Sequence, residues 1–257
     1  YVTGLAAKNA ATELREKICV KAAQMWDVDV ADVVFDGQYV RLSDERAARE
    51  LNRYLTLRDF ANLCVKNIAG GDALTSHASA CLPVSPPPFM AGIAEVEVDK
   101  ATGKVAVVDY VAAVDCGTVI NEALARVQAE GGIAQGIGHA LYEIVEHDER
   151  GRLRTGNFMS YKLPTRLDIG SIRVAFEPSY EPTGPFGAKS IGEVVINTPL
   201  AAVASAVAHA TGHQVRSLPD HAREGPAGGV AGQRTSRNWR GGATRPAFCT
   251  RGEVVSL

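Results

Sequence analysis

The stretch Gly184–Glu193, GPFGAKSIGE, combines three glycines, a lysine and a carboxylate in ten residues. Such a stretch could be a phosphate-binding loop, a cofactor loop that presents a base, or a turn before a helix. A phosphate-binding P-loop requires the pattern G-x-x-x-x-G-K-[ST]. Here Ala188 precedes Lys189, and Thr183 stands where the first glycine is needed. Both required glycines are therefore missing, and the P-loop is the weakest of the three interpretations.

The same stretch fits either a simple turn or a general-base site. Pro185 and Gly187 are typical turn residues, and Glu193 near a helix start would interact favourably with the helix dipole. Two features favour a base. Gly192 allows the backbone to approach a ligand closely, and the apolar run VVINTPLAAVASAV after Glu193 is expected to bury the neighbourhood. A carboxylate at the rim of an apolar, glycine-lined pocket is a candidate general base.

A second candidate is the segment ARVQAEGGIAQGIGHALYEIV, which lies in a predicted helix over residues 122–143. Four glycines interrupt its apolar stripe, and each costs about 1 kcal/mol of helix propensity relative to alanine. Something must approach this helix closely to justify them. Their spacing, G-x-x-x-G-x-G, differs from the dinucleotide-binding fingerprint G-x-G-x-x-G. The glycines are Gly131, Gly132, Gly136 and Gly138.

Composition limits the remaining classes of function. The five cysteines are scattered without a CxxC pair, which argues against zinc, iron–sulfur and disulfide frameworks in this chain and is typical of a reducing cytoplasm. His139 has no partner His or Cys at ligand spacing, so we predict no metal-ligating side chains. The net charge of −2 gives no overall attraction to nucleic acid or to an anionic membrane. No apolar run approaches the roughly 20 residues that span a bilayer, and no signal peptide is evident.

The elements that must position these residues form two predicted α/β subdomains. The first subdomain, residues 1–85, has a helix over 4–26, a hairpin that turns at Asp36-Gly37, and a short helix that begins at Thr56 and ends near residue 70. The chain is already in helical periodicity at its first residues, so we expect it to be part of a longer polypeptide. The proline-rich segment PPPF follows as a linker in polyproline conformation.

The second predicted subdomain covers residues 86–219. It contains the long hairpin GIAEVEVDKATGKVAVVDYVAAVDCG, the glycine-rich helix, the strand GSIRVAFEP and the buried helix VVINTPLAAVASAVAHATG. We therefore predict an α/β fold in which helices are layered on mixed sheets. Residues 220–257 are rich in Gly, Arg, Ser and Thr without apolar periodicity, which predicts a disordered tail. A basic tail of this kind could bind nucleic acid, but plain disorder is the favoured interpretation.

Three blocks occur in order along the chain: VDCGTVINEALARVQAEGGIAQGIGHALYE, NFMSYKLPTRLDI and EPTGPFGAKSIGE. From Tyr1 to about Pro219 the chain thus resembles the molybdopterin-binding subunit of the xanthine dehydrogenase family of molybdenum hydroxylases. The resemblance implies two α/β subdomains of a molybdenum-cofactor-binding domain, with a planar cofactor lying against the glycine-rich helix. The chain departs from the family pattern at Val127, where glycine is usual, and after about residue 219.

The resemblance also implies roles for particular residues. Glu193 falls on the active-site base, and Lys189 falls on a lysine near the pterin. Gln128 falls on a glutamine that contacts the cofactor, and Gly192 would bring backbone close to it. No residue of this chain is implied as a metal ligand.

The implied reaction is oxidative hydroxylation of an electron-poor carbon in a purine-like N-heterocycle of the xanthine type, with nicotinate or an aldehyde as alternatives. The cofactor would be molybdopterin or its cytosine dinucleotide form, with iron–sulfur clusters and FAD on partner subunits or domains. The enzyme would be cytoplasmic, would engage neither membrane nor nucleic acid, and would be inactive as this chain alone.

The alternative interpretations are a non-catalytic α/β fragment with a nucleic-acid-binding tail and, more weakly, a nucleotide-binding protein that uses Lys189. Molybdenum and pterin content would separate the first alternative from an enzyme.

Overall fold

The computed structural model describes residues 1–66, 74–81 and 84–219, together with the backbone of Thr250–Ser256. The chain divides into two compact units, Tyr1–Ser85 and Pro86–Leu257. Both units contain helices and a sheet, and the sheet of the second unit is mixed. The predicted α/β class, with helices layered on mixed sheets, is therefore confirmed.

In its described residues the first unit has three α-helices, a 3-10 turn at Val30–Asp32 and a three-stranded antiparallel sheet in the order β1-β2-β3. In chain order its elements are α1 Val2–Trp26, β1 Val33–Phe35, β2 Tyr39–Leu42, α2 Glu45–Glu50, β3 Tyr54–Thr56 and α3 Leu57–Val65. One face of α1 packs on this sheet and on α3, through Ile18, Ala22, Ala23, Val33, Val40, Phe60 and Cys64.

Local side-chain hydrogen bonds explain where these elements begin. The predicted hairpin turn is present: the Asp36 carboxylate accepts hydrogen bonds from the amides of Gln38 and Tyr39 at 2.9 and 2.8 Å. Thr56 caps α3 as predicted, because its hydroxyl accepts a hydrogen bond from the Asp59 amide at 3.1 Å. In the described residues α3 ends at Val65. The predicted end near residue 70 lies outside the described residues.

The second unit has a four-stranded sheet in the order β6-β5-β4-β7, in which β5 and β6 are parallel and the other neighbours are antiparallel. In chain order its elements are β4 Phe89–Val98, β5 Val105–Asp115, α4 Glu122–Leu141, β6 Ser171–Phe176, α5 Val194–Thr211 and β7 Thr250–Ser256. A single 3-10 turn covers Pro185–Gly187.

The core of this unit lies between the sheet and its helices. Helix α5 packs on β4 and β7, and α4 packs against α5 and β6. Alternate residues of β4 and β5 face inward, as the sequence alternation predicts. Tyr110 on β5 is fully buried, and its hydroxyl lies 2.9 Å from the Thr198 hydroxyl on α5. That hydrogen bond joins the sheet to the helix across the apolar core.

Helix α5 is, within the described part of the chain, the one helix long and apolar enough by length and composition to cross a bilayer, with a mean hydropathy of 1.4 over 18 residues. The prediction that no apolar run approaches the length of a bilayer span is wrong for α5 by this criterion. The buried residues of α5 belong to the core shared with the sheet and α4. Its apolar composition is therefore accounted for by packing within this unit.

The prediction of a disordered tail over 220–257 is corrected at one place. Thr250–Ser256 forms β7, antiparallel to β4 over its whole length. The physical reason is the edge of β4, whose unpaired backbone groups accept a strand of almost any sequence because the pairing uses main-chain hydrogen bonds. Residues 220–249 and 257 lie outside the described residues.

Candidate functional site

A cleft of about 250 Å³ lies between the middle of α4 and the start of α5. It is lined by Val127, Gln128, Gly131, Gly132, Gln135, Gly192, Glu193 and Ile196. Three of the four predicted site residues, Gln128, Gly192 and Glu193, therefore lie together. Lys189 is not among the lining residues.

The α4 wall of the cleft follows from helical periodicity. Gln128, Gly131 and Gln135 are spaced by three and then four residues, so they lie on one face of the helix. The Gln128 side-chain amide donates a hydrogen bond to the Gly192 carbonyl oxygen at 2.7 Å. This bond ties the helix to the loop that precedes α5 and closes one side of the cleft.

Three of the four helix glycines are explained by packing inside the chain. A Cβ built on Gly132 would lie 2.3 Å from Val195 Cγ2, and one on Gly136 would lie 2.7 Å from Pro199 Cβ. These two glycines let α4 approach α5. A Cβ on Gly138 would lie 2.1 Å from Glu143 Oε1, so this glycine makes room for a side chain of the same helix end. The expectation that a cofactor accounts for these glycines is wrong for these three.

Gly131 is different, because a Cβ built there would meet no described atom within 4 Å. It is exposed and lines the cleft between the two glutamines. Helix packing gives no reason for a glycine here, and the propensity cost of about 1 kcal/mol remains. A surface that must lie flat against a ligand would supply that reason.

Glu193 is the N-cap residue of α5, and its side chain makes no capping hydrogen bond to that helix. The apolar run after it was expected to bury this neighbourhood, but Glu193 is exposed on the rim of the cleft. The reason is geometric: Val195 and Pro199 face the core, whereas Glu193 lies on the turn before the helix. The carboxylate is thus open to the cleft rather than enclosed by this chain.

Lys189 lies at a different place from the cleft residues. Its ammonium forms an ion pair with the Asp115 carboxylate, with Nζ 2.6 Å from Oδ2, and lies 5.5 Å from the centre of the Phe89 ring. The Lys189 side chain is only 12% exposed. Burial raises the pKa of Asp115, but hydrogen bonds from Lys189, Ser179 and the Gly117 amide outweigh burial and lower that pKa overall. Asp115 is therefore held as an anion.

The loop that carries Lys189 is also fixed by its backbone. Gly117 pairs with Ala188 as an isolated β-bridge, and the Lys189 amide donates a hydrogen bond to the Cys116 carbonyl at 2.7 Å. Gly117 has a φ of 70°, and a Cβ on it would lie 2.4 Å from the Gly187 carbonyl oxygen. Only glycine permits the two chain segments to approach so closely.

Three residues of this region were missed from the sequence. Gln135 could have been found, because it lies seven residues after Gln128 and therefore on the same helix face. Asp115 had a weaker signal as the last residue of a predicted strand. Ser179 carried none, because its contact with Asp115 joins residues far apart in sequence. Within the described ranges, no three His, Cys, Asp or Glu side chains group as metal ligands.

The cleft thus presents two side-chain amides, an open glycine face and one carboxylate, without metal-binding side chains in the described part of the chain. Residues 1–170 match the family model described as the molybdopterin cofactor-binding domain. The chain belongs to this family. The matched residues include Gln128 and Gly131, whereas Lys189 and Glu193 lie beyond them.

Relatives that match the chain include subunits of dehydrogenases. The chain is 33% identical to the putative xanthine dehydrogenase molybdenum-binding subunit of Escherichia coli over 85% of its length and 29% of that protein. It is 30% identical to the gamma subunit of the 6-hydroxypseudooxynicotine dehydrogenase complex of Paenarthrobacter nicotinovorans, over 80% of the chain and 26% of the relative.

Among solved structures, the chain resembles quinoline 2-oxidoreductase of Pseudomonas putida 86 with a TM-score of 0.61 and 29% identity, over 83% of this chain and 28% of that one. The chain therefore spans less than a third of the length of these relatives. The family and the fold are confirmed.

Proposed function

We propose that this chain forms one wall of the active site in a molybdenum hydroxylase subunit that oxidatively hydroxylates an electron-poor carbon of a purine-like N-heterocycle. The observation that carries the proposal is Gly131. It presents a bare helix surface to the cleft, and packing within the described chain does not require it.

The residues around Gly131 fit a pterin. A pterin is flat, and its edge carries both hydrogen-bond donors and acceptors. A glutamine amide can donate and accept, so Gln128 and Gln135 on either side of Gly131 can match such an edge. The exposed Gly192 leaves backbone accessible beside them. Since no metal-ligating cluster is present among the described residues, the cofactor would be held by its organic part on this wall.

Glu193 is the residue of this wall that can move a proton. When bound, the molybdenum cofactor supplies the oxidation chemistry that no side chain can perform. The chain contributes orientation and a base: the Glu193 carboxylate lies on the cleft rim, open toward whatever occupies it. A general base must come within roughly 2.6–3.2 Å of the group whose proton it accepts, and Glu193 is the carboxylate among the cleft-lining residues.

The substrate and partners belong to the same proposal. A xanthine-type purine is supported by the E. coli relative, and nicotinate-like rings or aldehydes are the alternatives. We propose FAD and iron–sulfur clusters on partner subunits or domains, as in a complex with separate subunits, and a cofactor that is molybdopterin or its cytosine dinucleotide form. Cytoplasmic location stays a prediction from the scattered cysteines.

The test uses the complete subunit that contains this chain, purified with its partners. Molybdenum and pterin content are measured, and turnover is followed with xanthine, nicotinate and benzaldehyde and an artificial electron acceptor. Glu193→Gln should keep the cofactor content and lower kcat by about 10²- to 10⁴-fold, because the amide keeps the shape of the side chain but cannot accept the proton.

Glu177→Gln is the matched control, because Glu177 is an exposed carboxylate of the same unit outside the cleft lining. It should keep wild-type kcat. Turnover of Glu193→Gln within a few-fold of wild type at full cofactor content would show that this carboxylate is not the base. Absence of molybdenum from the wild-type subunit would refute the proposed function as a whole.

A further inference from the structure

A carboxylate outside the cleft holds the loop that leads to Glu193. Asp115 is the last residue of β5, and three donors converge on its carboxylate. The Gly117 amide and the Ser179 hydroxyl donate to Oδ1 at 3.0 and 2.5 Å, and the Lys189 ammonium donates to Oδ2 at 2.6 Å. Asp115 thereby connects the end of β5 to the loop before α5 through side-chain hydrogen bonds.

The main chain reinforces the same junction. The Thr118 amide donates a hydrogen bond to the Gly187 carbonyl at 2.8 Å, and the Lys189 amide donates to the Cys116 carbonyl at 2.7 Å. The segment from Gly187 to Lys189 therefore runs along the residues that follow β5. Its position is determined by a strand of the sheet, which is among the most rigid elements of the unit.

The other end of the loop is fixed by α4. The Gln128 amide holds the Gly192 carbonyl, and Glu193 follows directly as the N-cap of α5. Only Ser190 and Ile191 lie between the two fixed points. With so short a span, the backbone of Glu193 is determined by the attachment at Lys189 on one side and at Gly192 on the other.

We propose that Asp115 is a positioning residue for Glu193: through its ion pair with Lys189 it fixes the loop that presents the Glu193 carboxylate to the cleft. The Lys189 ammonium then serves this ion pair rather than the cofactor. This inference rests on the proposed function, in which Glu193 is the base. Both side chains are mostly buried, Lys189 being 12% and Asp115 21% exposed. Removing one charge therefore leaves the other partly buried without a counter-charge.

The test compares Asp115→Asn with wild type in the complete subunit, using xanthine or whichever substrate of the panel is turned over fastest. The asparagine keeps the size and the acceptor oxygen but removes the charge opposite Lys189. We expect kcat to fall by about 10- to 100-fold, as for a reacting group displaced by a fraction of an ångström to 1 Å. KM and molybdenum content should stay within two- to three-fold of wild type. Amide hydrogen exchange in the peptide over 184–193 should become faster.

Asp109→Asn is the matched control. Asp109 lies on the same strand and pairs with Arg173, away from the loop. The same chemical change there should leave kcat and the exchange of the loop peptide unchanged. Ser179→Ala removes one hydrogen bond to Asp115 without touching the ion pair, so its effect on kcat should have the same direction as that of Asp115→Asn and be smaller.

Combination with Glu193→Gln separates positioning from a direct role. If Asp115 acts only through Glu193, adding Asp115→Asn to Glu193→Gln should lower kcat no further. Independent, multiplying effects would overturn the inference, as would wild-type kcat in Asp115→Asn, or molybdenum content that falls in parallel with activity. An inactive Glu193→Gln beside an unaffected Asp115→Asn would refute this inference alone. A fully active Glu193→Gln would refute the assignment of Glu193 as the base and the inference with it, and absence of molybdenum from the wild-type subunit would refute the proposed function.

Discussion

Two adjacent glycines of α4 should respond in opposite ways to the same methyl group. Gly131→Ala and Gly132→Ala gain the same helix propensity, about 0.5–1 kcal/mol, so propensity cancels in their comparison. A methyl at 131 meets no described atom within 4 Å, whereas at 132 it would lie 2.3 Å from Val195 Cγ2. Normal contact between carbons is about 3.5–4.0 Å. Val195 is fully buried, so it cannot move aside without disturbing the core.

Overpacking of this kind costs about 1–3 kcal/mol, so Gly131→Ala should be more stable than Gly132→Ala by about that amount. Gly131→Ala alone should raise the Tm by about 1–4 °C relative to wild type. Thermal unfolding of the chain by circular dichroism, confirmed by denaturant titration, measures both effects. Equal Tm values for the two variants would refute the packing of α4 against α5 described here.

Gly131→Ala also has a functional consequence that opposes its effect on stability. In the complete subunit its methyl would stand in the cleft between Gln128 and Gln135, and pterin and molybdenum content should fall although the fold is more stable. Gly132→Ala should lose cofactor only as far as it loses folded protein. Full cofactor content in a stabilised Gly131→Ala variant would contradict the assignment of this cleft to the cofactor.

Two further predictions concern stability. Tyr110→Phe should lower the free energy of unfolding in urea by about 0.5–1.5 kcal/mol, because it removes the hydrogen bond to Thr198 and leaves that hydroxyl without its partner; an unchanged midpoint would contradict it. Asp115→Asn should be less stable than wild type at neutral pH, and the gap should close in acid. The pKa of Asp115 is lowered in the folded chain, so its contribution is complete above the ordinary value of 3.8 and is lost as the pH falls through the lower folded value. A gap that does not narrow as the pH falls below 3.8 would contradict this assignment.

The periodic elements could be predicted from the sequence because their signals are local. The 3.6-residue repeat of α1, the alternation of β4 and β5 and the Thr56 cap each depend on residues within a few positions of one another. β7 was missed because its pairing depends on the free edge of a distant strand.

Part of the candidate site could be predicted, but through the resemblance rather than through local periodicity. Gln128, Gly192 and Glu193 lie at one cleft, as the resemblance implied. The partner of Lys189 could not be predicted, because Asp115, which also accepts a hydrogen bond from Ser179, reaches it only after β5 and the loop before α5 have been brought together. The glycines of α4 show the limit of pattern analysis most clearly. Their sequence signal is one of close approach, and it cannot distinguish approach by another helix from approach by a ligand.

That distinction matters for how the site is built. The contacts that support this wall lie within the chain: Gln128 is bonded to Gly192, Lys189 to Asp115, and α4 packs on α5 through Gly132 and Gly136. Contacts made by the protein itself reduce the free energy that ligand binding must supply to order the reacting groups. Under the proposed function, Gly131, the two glutamines and the exposed Glu193 carboxylate face the ligand, and the remaining contacts hold them in register.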